Sequence, residues 1–393
     1  MAIRTTHVGS LPRTPKLLEA NAHRADLPEE QFSSIVQESV DQVVARQHEI
    51  GLDIVNDGEY GHAMSASVDY GAWWTYSFGR FSGLEVLDAA TVTEVVPAAG
   101  APVELAPFSQ RRDWVAFHDA YSDPESGISL GSGGGQGFPT ITGPVSYIGQ
   151  AEVARDIEGL TRALAANGLT PADGFIAAVA PGSAARVGNA YYQDDAAVLD
   201  AWADALHEEY TAITDAGFTL QLDDPGLAEA WDQVNPEPSL SAYREYVAQR
   251  IAAINRALEG IPAEQVRLHV CWGSWHGPHT TDLPFKDFVD LVLRANVHGY
   301  TFEAANVRHE HEWTIWTDGI LPDDKVIIPG VVSHSTNVVE HPELVAQRIR
   351  RFTDAVGADR VIASTDCGLG GRIHPSIAWA KLESLVEGAR LVG

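Results

Sequence analysis

Along most of this chain, stretches with apolar residues at helical spacing are followed by short continuous apolar runs. Apolar positions at helical spacing predict an amphipathic helix over residues 35–50 that ends at Gly51. A short apolar run, residues 52–55, follows and closes on polar residues, which is typical of a buried strand. The segment 196–216 repeats this order, with Gly217 leading into the run FTLQLDDP. The repeated pattern predicts βα units.

Counting such apolar runs gives the number of strands. The predicted strands are residues 6–11, 52–55, 175–180, 218–225, 266–271, 299–304, 326–332 and 361–367. Eight strands separated by helical segments favour a closed (βα)8 TIM barrel over an open doubly wound sheet, which commonly has fewer strands. We therefore predict the α/β class, with residues 1–393 forming a single barrel.

Residues 76–150 interrupt the repeat. They contain VVPAAGAPVELAP, the glycine-rich GSGGGQG and FPTITGPVSYIG, the last of which is typical of an extra strand or hairpin. This region is expected to be an insertion in an early βα loop. GSGGGQG lacks the Lys-Ser/Thr ending of a phosphate-binding loop, so we predict a flexible turn there.

Charge and cysteine content limit the function classes. The chain carries 54 acidic and 26 basic residues, a net charge of −28, which argues against nucleic acid and anionic membrane partners. No leader-like start and no apolar run of ~18 residues is present, so we expect a soluble, cytoplasmic protein. The two cysteines, Cys271 and Cys367, are too few for a disulfide framework and are expected to remain thiols.

Both cysteines lie at predicted strand ends, where a barrel builds its active site. His269 and Cys271 are two residues apart, so they lie on one face of a strand. Glu303 ends the next strand and Cys367 ends the last, and barrel closure can bring all four side chains together. Two thiolates, an imidazole and a carboxylate suit Zn²⁺. A buried apolar cysteine or a hydrogen-bonded histidine is the alternative for each residue alone.

The chemistry of such a site is left open by the spacing. Zinc holds a coordinated thiol as thiolate near neutral pH, which points to activation of a sulfur nucleophile. A zinc-water hydrolase or lyase is a second hypothesis. A third is a barrel that has kept the fold and lost the chemistry.

Several motifs together resemble the catalytic half of cobalamin-independent methionine synthase and its shorter relatives. They are TTHVGSLPR, NDGEYGH, LQLDDP, HVCWGSWHGPH, FEAANVRHEHEW, PGVVSH and STDCGLGGR, in the same order from the first strand to the last. The resemblance implies a zinc-binding (βα)8 barrel whose ligands correspond to His269, Cys271, Glu303 and Cys367.

The resemblance also implies roles for four other residues. Glu59 and Asp223 match the acidic groups that hold the amino group of homocysteine, and Ser10 matches a residue of its carboxylate site. His334 matches the histidine proposed to deliver a proton to the methyl donor. A loop-capping or ion-pair role is the alternative for Glu59 and Asp223.

Two departures separate this chain from the long synthases. It has no room for their second barrel, and the folate-stacking segment of the family is replaced by residues 185–192. The chain is closer to the short branch that includes epoxyalkane:coenzyme M transferase. The expected partners are a small thiol and a small alkyl donor, which leaves methyl transfer and epoxide opening both open. Surface helices of barrels commonly form dimers, so a homo-oligomer is compatible with the pattern.

Other polar residues crowd the same loops. Arg186, Arg308 and Arg372 are candidates for an anionic group of the thiol, with structural ion pairs as the alternative. A second metal site is an alternative for the loop histidines, which we expect to bond to other residues or shape the pocket. These histidines are His276, His279, His309 and His311. The loop tryptophans, Trp272, Trp275 and Trp313, are expected either to exclude water or to pack in the core.

Overall fold

The computed structural model describes residues 2–64, 72–87, 100–128 and 138–393. Seven parallel strands form one sheet in the order β1-β10-β9-β8-β7-β6-β4, and three further strands form a second sheet in the order β2-β3-β5. The strands are β1 (Arg4–Thr5), β2 (Phe81–Leu87), β3 (Phe138–Tyr147), β4 (Phe175–Val179), β5 (Gly188–Asn189), β6 (Thr219–Asp223), β7 (Val266–Val270), β8 (Gly299–Phe302), β9 (Val326–Val332) and β10 (Ile362–Thr365).

Residues 52–55 fill the gap between the two ends of the seven-stranded sheet. Val55 forms an isolated parallel bridge with Gly174, next to β4. The amides of Asp53 and Ile54 both donate to the carbonyl oxygen of Thr5 in β1, at 3.2 and 3.1 Å. The curled parallel sheet thus has an eighth segment between β4 and β1. The predicted α/β class and TIM-barrel fold are confirmed.

Thirteen helices lie in the described part of the chain. They are α1 (Pro15–Ala22), α2 (Glu29–Ile50), α3 (Ala72–Gly79), α4 (Arg112–Ala116), α5 (His118–Ser122), α6 (Gln150–Ala166), α7 (Pro181–Ala184), α8 (Asp195–Asp215), α9 (Ala230–Gln233), α10 (Leu240–Ala257), α11 (Val289–Val292), α12 (Pro342–Val356) and α13 (Pro375–Arg390). In α2 the residues at helical spacing, Val40, Val43 and Val44, are buried, and Gly51 caps the helix with φ 95°. No helix in the described part of the chain is long and apolar enough to cross a membrane.

The first strand differs from the prediction. It is Arg4–Thr5 instead of residues 6–11, and the latter form a loop at the end of the barrel. The amide of Val8 donates to the side chain of Thr365 instead of a strand carbonyl, at 3.2 Å. Gly9 then takes φ 135°, a conformation that favours glycine, so the strand cannot continue.

Residues 76–150 contain extra structure beside the barrel. Strands β2 and β3 pair as an antiparallel hairpin, and β3 also pairs in parallel with β5. The short helices α4 and α5 lie between the two hairpin strands in sequence. The predicted glycine-rich turn, residues 131–137, lies outside the described residues.

Candidate metal centre

The residues predicted to bind metal lie at the ends of three strands of the barrel. Cys271 follows β7 directly and Glu303 follows β8 directly, whereas Cys367 lies two residues beyond β10. His269 lies inside β7, with its side chain on the same face as that of Cys271. All of them are therefore at the carboxyl end of the barrel, where the strands present their loops.

Three of the four predicted ligands come close together. The ligand atoms of His269, Cys271 and Cys367 all lie within 4.8 Å of one another. His269 is 2% exposed, and among the described residues neither of its ring nitrogens has a hydrogen bond to a nitrogen or oxygen atom. A buried imidazole left in this way beside two sulfurs fits a metal ligand, since buried polar atoms otherwise find partners. The donor set of one nitrogen and two sulfurs fits Zn²⁺.

Glu303, the fourth predicted ligand, belongs to an adjacent group. Its carboxylate lies with His334 and Asp366, and the three ligand atoms are within 4.8 Å of one another. One oxygen of Glu303 accepts the amide of Trp272 at 3.0 Å, and the other accepts the side-chain amide of Asn306 at 2.8 Å. Each oxygen has a second lone pair for a further partner.

The two sulfurs differ in acidity. Hydrogen bonding from Cys271, joined by a contact with His269, holds the pKa of Cys367 well below its ordinary value. The same sulfur contact, together with burial, raises the pKa of Cys271. The pair therefore has one sulfur predisposed to the thiolate form, which is the form that binds a metal.

Asp366 is a buried carboxylate to which the sequence patterns assign no role. One of its oxygens accepts the amides of Ala304 and Ala305, at 2.7 and 2.8 Å, directly after Glu303. The residue precedes Cys367, so one carboxylate ties together the loops that carry two predicted ligands. Its position at a strand end beside a cysteine is the one sequence signal that marks it.

Glu59 and Asp223 lie side by side near these groups. Burial raises the pKa of Asp223 to about 7. Burial, reinforced by the charge of Asp223, raises the pKa of Glu59 well above its ordinary value. Two buried carboxyl groups repel each other when both are ionised. The ammonium group of a ligand would reduce this repulsion.

Ser10 is joined to Glu59 through Arg13, the last residue of the TTHVGSLPR motif, to which the resemblance assigns no role. The guanidinium of Arg13 donates to the Ser10 hydroxyl at 2.7 Å and to the carbonyl oxygen of Glu59 at 2.5 Å. Glu59 adopts φ 59°, which is uncommon for a residue other than glycine, and its amide donates to Asp57 at 2.8 Å. These contacts fix the backbone of Glu59 and the hydroxyl of Ser10.

His334 is buried beside Glu303 and Asp366. It is 1% exposed, and within the described ranges its Nδ1 atom has no hydrogen-bond partner. Burial lowers its pKa, and the charge of Arg372 adds to that effect. A ligand bonded to Nδ1 would therefore displace no protein hydrogen bond among the described residues.

The loop histidines do not form a second metal group within the described residues. His279 and His309 both contact Asp282, with N–O distances of 3.1 and 3.0 Å, and His309 also contacts Glu312 at 2.9 Å. His311 is exposed, and the ring of His276 lies 3.3 Å from the carbonyl oxygen of His334. His279 and His309 therefore bond to other residues, as expected for the loop histidines.

The loop tryptophans pack against these histidines or in the core. Trp272 stacks on His309 with ring centroids 3.9 Å apart, and Trp275 stacks on His279 at 4.2 Å. Trp313 is partly buried against the main apolar core. The first two therefore pack against the histidines that contact Asp282, which are His279 on the loop after β7 and His309 on the loop after β8.

The candidate arginines have different surroundings. Arg186 forms an ion pair with Glu229 at 3.1 Å, which is the structural role given as its alternative. Arg308 donates to the carbonyl oxygen of Thr280 at 3.4 Å and is exposed. Arg372 donates to Ser274 at 2.8 Å, and its charge acts on His334. The charge of Arg372 therefore reaches one of the predicted site residues.

Comparison with known proteins adds a family to this geometry. A family model described as the catalytic domain of cobalamin-independent synthase matches residues 3–70 and 169–391. The chain is 27% identical over 207 residues to a methionine synthase of Saccharolobus solfataricus, covering 52% of this chain and 53% of that enzyme. It is 29% identical over 167 residues to 2-hydroxypropyl-CoM lyase of Xanthobacter autotrophicus, covering 36% of this chain and 44% of the lyase.

The fold has a full-length counterpart among solved structures. The B12-independent methionine synthase from Shewanella sp. W3-18-1, solved in complex with selenomethionine, superposes with a TM-score of 0.72. The match covers 100% of this chain and 98% of the other, at 19% identity. The family match leaves out residues 71–168, so the insertion lies outside the family pattern.

Proposed function

Because the chain belongs to the family of cobalamin-independent synthase catalytic domains, we propose that it transfers a methyl or other small alkyl group to a thiol activated by zinc. The relatives named above include a methionine synthase and a lyase named for its CoM substrate. The chain spans about half the length of each of these two relatives. The methionine synthase is a precedent in this family for transferase chemistry. The thiol acceptor and the alkyl donor of this chain are part of the proposal.

The observation that carries the proposal is that the ligand atoms of His269, Cys271 and Cys367 lie within 4.8 Å of one another. Glu303 is the proposed fourth ligand, from the group alongside. When bound, zinc lowers the pKa of a coordinated thiol and keeps it nucleophilic near neutral pH. A carboxylate ligand is the one of the four that a substrate sulfur displaces at the lowest cost to a borderline-soft ion.

We propose that the acceptor is a homocysteine-like thiol. Glu59 and Asp223 place two buried carboxyl groups together, which suits an ammonium group. The same pair would repel the sulfonate of a thiol such as coenzyme M. Ser10, held by Arg13, is the proposed contact for the acceptor's carboxylate. The charge of the pocket therefore favours an amino thiol.

We propose that His334 gives a proton to the leaving group of the alkyl donor. Its buried Nδ1 atom has no hydrogen-bond partner in the described part of the chain, which leaves that nitrogen for a bond to the donor. A proton delivered at that point converts a poor leaving group into an acceptable one. For a methyl donor the proton goes to the departing heteroatom, and for an epoxide it goes to the developing alkoxide.

The decisive experiment compares homocysteine with 4-mercaptobutyrate, which is the same thiol without the amino group. Each is assayed with methyl and epoxide donors while the zinc content is measured. We expect the wild-type protein to prefer homocysteine by at least about tenfold in kcat/KM, because a charge-assisted contact contributes about 1.5–3 kcal/mol. Glu59→Gln should reduce that preference and keep the zinc.

Two results would contradict the proposal. One is equal use of both thiols by the wild-type protein and by Glu59→Gln, which would remove the ammonium site. The other is turnover of esters or amides without any added thiol, which would point to a zinc-water hydrolase. A matched control is Glu85→Gln in the hairpin strand β2, which should leave the thiol preference unchanged.

A further inference from the structure

The insertion is attached to the loop that follows the Cys271 strand. Asp113 in α4 is 1% exposed, and its carboxylate accepts four hydrogen bonds. The amides of His279 and Thr280 donate to it at 3.2 and 2.9 Å, and the Thr280 hydroxyl donates at 2.8 Å. The fourth donor is the hydroxyl of Tyr121 in α5, at 2.9 Å. One buried carboxylate thus fixes residues 279–280 to the insertion.

A second set of contacts packs the insertion against the middle of the same loop. The Tyr121 hydroxyl accepts the indole N–H of Trp275 at 2.8 Å. Gly277 leaves room for Tyr121, since a Cβ atom there would lie 2.2 Å from the hydroxyl oxygen. The guanidinium of Arg111 lies over the Trp275 ring, 4.7 Å from its centroid. His276 lies between Trp275 and Gly277 and reaches the backbone of His334 at 3.3 Å.

The insertion also contacts residues 185–192, the segment where the resemblance predicts a departure from the family's folate-stacking residues. Strand β3 pairs with Gly188 and Asn189, and the amide of Val145 donates to the Tyr192 hydroxyl at 3.0 Å. Glu229 forms ion pairs with both Arg111 of the insertion and Arg186 of the segment. The loop after β7 and residues 185–192 are therefore both anchored to the insertion.

We propose that this insertion sets the size of the alkyl donor that reaches the thiol, with Asp113 and Tyr121 as positioning residues. The inference rests on the proposed function. Residues 272–284 begin directly after Cys271 and carry His276 to His334, the proposed proton donor. A loop held in one position narrows the approach, and a released loop admits a larger donor.

The test uses two simple alkyl donors of different size, iodomethane and 1-iodobutane, with homocysteine as the acceptor. In each reaction the sulfur forms a bond to carbon as the carbon–iodine bond breaks, iodide leaves with the electron pair, and the thiol proton passes to buffer. Mass spectrometry of the S-alkyl products gives the rate for each donor above the rate without protein. The ratio of the two rates measures donor selection by size.

The variants are Asp113→Ala and Tyr121→Phe, with Asp119→Asn as the matched control. Asp119 is an exposed carboxylate of α5 that accepts the neighbouring amide of Ala120. We expect both insertion variants to reduce the preference for iodomethane by about five- to tenfold, with zinc content and the KM for homocysteine unchanged. Asp119→Asn should keep the wild-type ratio.

Hydrogen exchange provides a readout that does not depend on activity. The amides of residues 279 and 280 should exchange faster in Asp113→Ala, because their acceptor is gone. Faster exchange with an unchanged rate ratio would overturn the inference and leave the proposed function intact. No acceleration of either donor by wild-type protein would instead overturn the proposed function, and this inference with it. If Asp113→Ala does not fold, Tyr121→Phe decides the question by its rate ratio.

Discussion

The buried contacts among His279, Asp282, His309 and Glu312 predict an unusual loss of stability at alkaline pH. Burial alone lowers the pKa of each imidazole, but its carboxylate partners outweigh that effect. The pKa of His279 is raised to about 9 by Asp282, and that of His309 is raised to about 10 by Asp282 and Glu312. Both rings are therefore charged near neutral pH, although both are almost fully enclosed.

The size of the effect follows from these values. A rise from 6.5 to about 10 for His309 corresponds to about 5 kcal/mol of favourable interaction with the charged ring. Because the folded-state pKa values are raised, this contribution is complete below about pH 6.5 and is lost as pH rises through about 9 and 10. Between pH 6.5 and the folded-state pKa of each histidine, the free energy of unfolding should fall by about 1.4 kcal/mol per pH unit for that histidine.

Asp282→Asn tests this directly. Removing the shared carboxylate should cost about 3–5 kcal/mol near pH 7, because it leaves buried imidazolium charge uncompensated. It should also flatten the pH dependence, so that the two unfolding free energies converge toward pH 10. Urea unfolding of both proteins from pH 6 to 10, at one fixed zinc concentration, gives the comparison.

The control is Asp26→Asn, since Asp26 faces His23 at the same sequence spacing but both side chains are exposed. We expect it to change the unfolding free energy by less than about 0.5 kcal/mol at every pH. Parallel curves for the wild-type protein and Asp282→Asn between pH 6.5 and 10 would refute the reasoning. A loss equal to that of the exposed control would refute it as well.

Two further predictions concern the packing behind the site. Lys381→Met should cost about 3–5 kcal/mol in chemical unfolding, because Lys381 is fully buried and its loss leaves the buried carboxylate of Glu340 without the cation that it contacts at 2.8 Å. Exposed Lys16→Met is the control, and equal effects would contradict the prediction. Gly330→Ala should lower the melting temperature and the affinity for zinc, because a Cβ atom would lie 2.3 to 2.5 Å from atoms of Asp366. Gly79→Ala, where a Cβ atom meets nothing within 4 Å, should do neither, and a Gly330→Ala protein that is as stable as the wild type would refute the packing argument.

The barrel and its rim were predictable because both follow from short sequence patterns. The side chains of residues two apart in a strand share a face, so the spacing of His269 and Cys271 is enough to place the pair together. Barrel closure then implied that Cys367 reaches the same point. In the structure the ligand atoms of these three residues lie within 4.8 Å of one another. The strand boundary at Thr5 was missed because Thr365 replaces a strand partner of Val8, a contact 357 residues apart in sequence.

The supporting contacts could not be predicted for the same reason. Asp113 lies in an irregular insertion, and its partners His279 and Thr280 are 166 and 167 residues away. No periodic pattern marks such a carboxylate. Its role as an anchor depends on the backbone amides that donate to it, and these have no sequence signature. The exact neighbours of Glu303 are also a matter of loop geometry, since its carboxylate lies with His334 and Asp366.

Zinc X-ray absorption with and without homocysteine shows whether His269, Cys271, Glu303 and Cys367 hold a zinc ion that activates a thiol. We expect about one zinc per chain and replacement of an oxygen neighbour by a third sulfur when the thiol binds. Cys367→Ser should lose the metal while the barrel remains folded. One zinc per chain whose neighbours do not change with any thiol would mean that the metal does not activate a thiol.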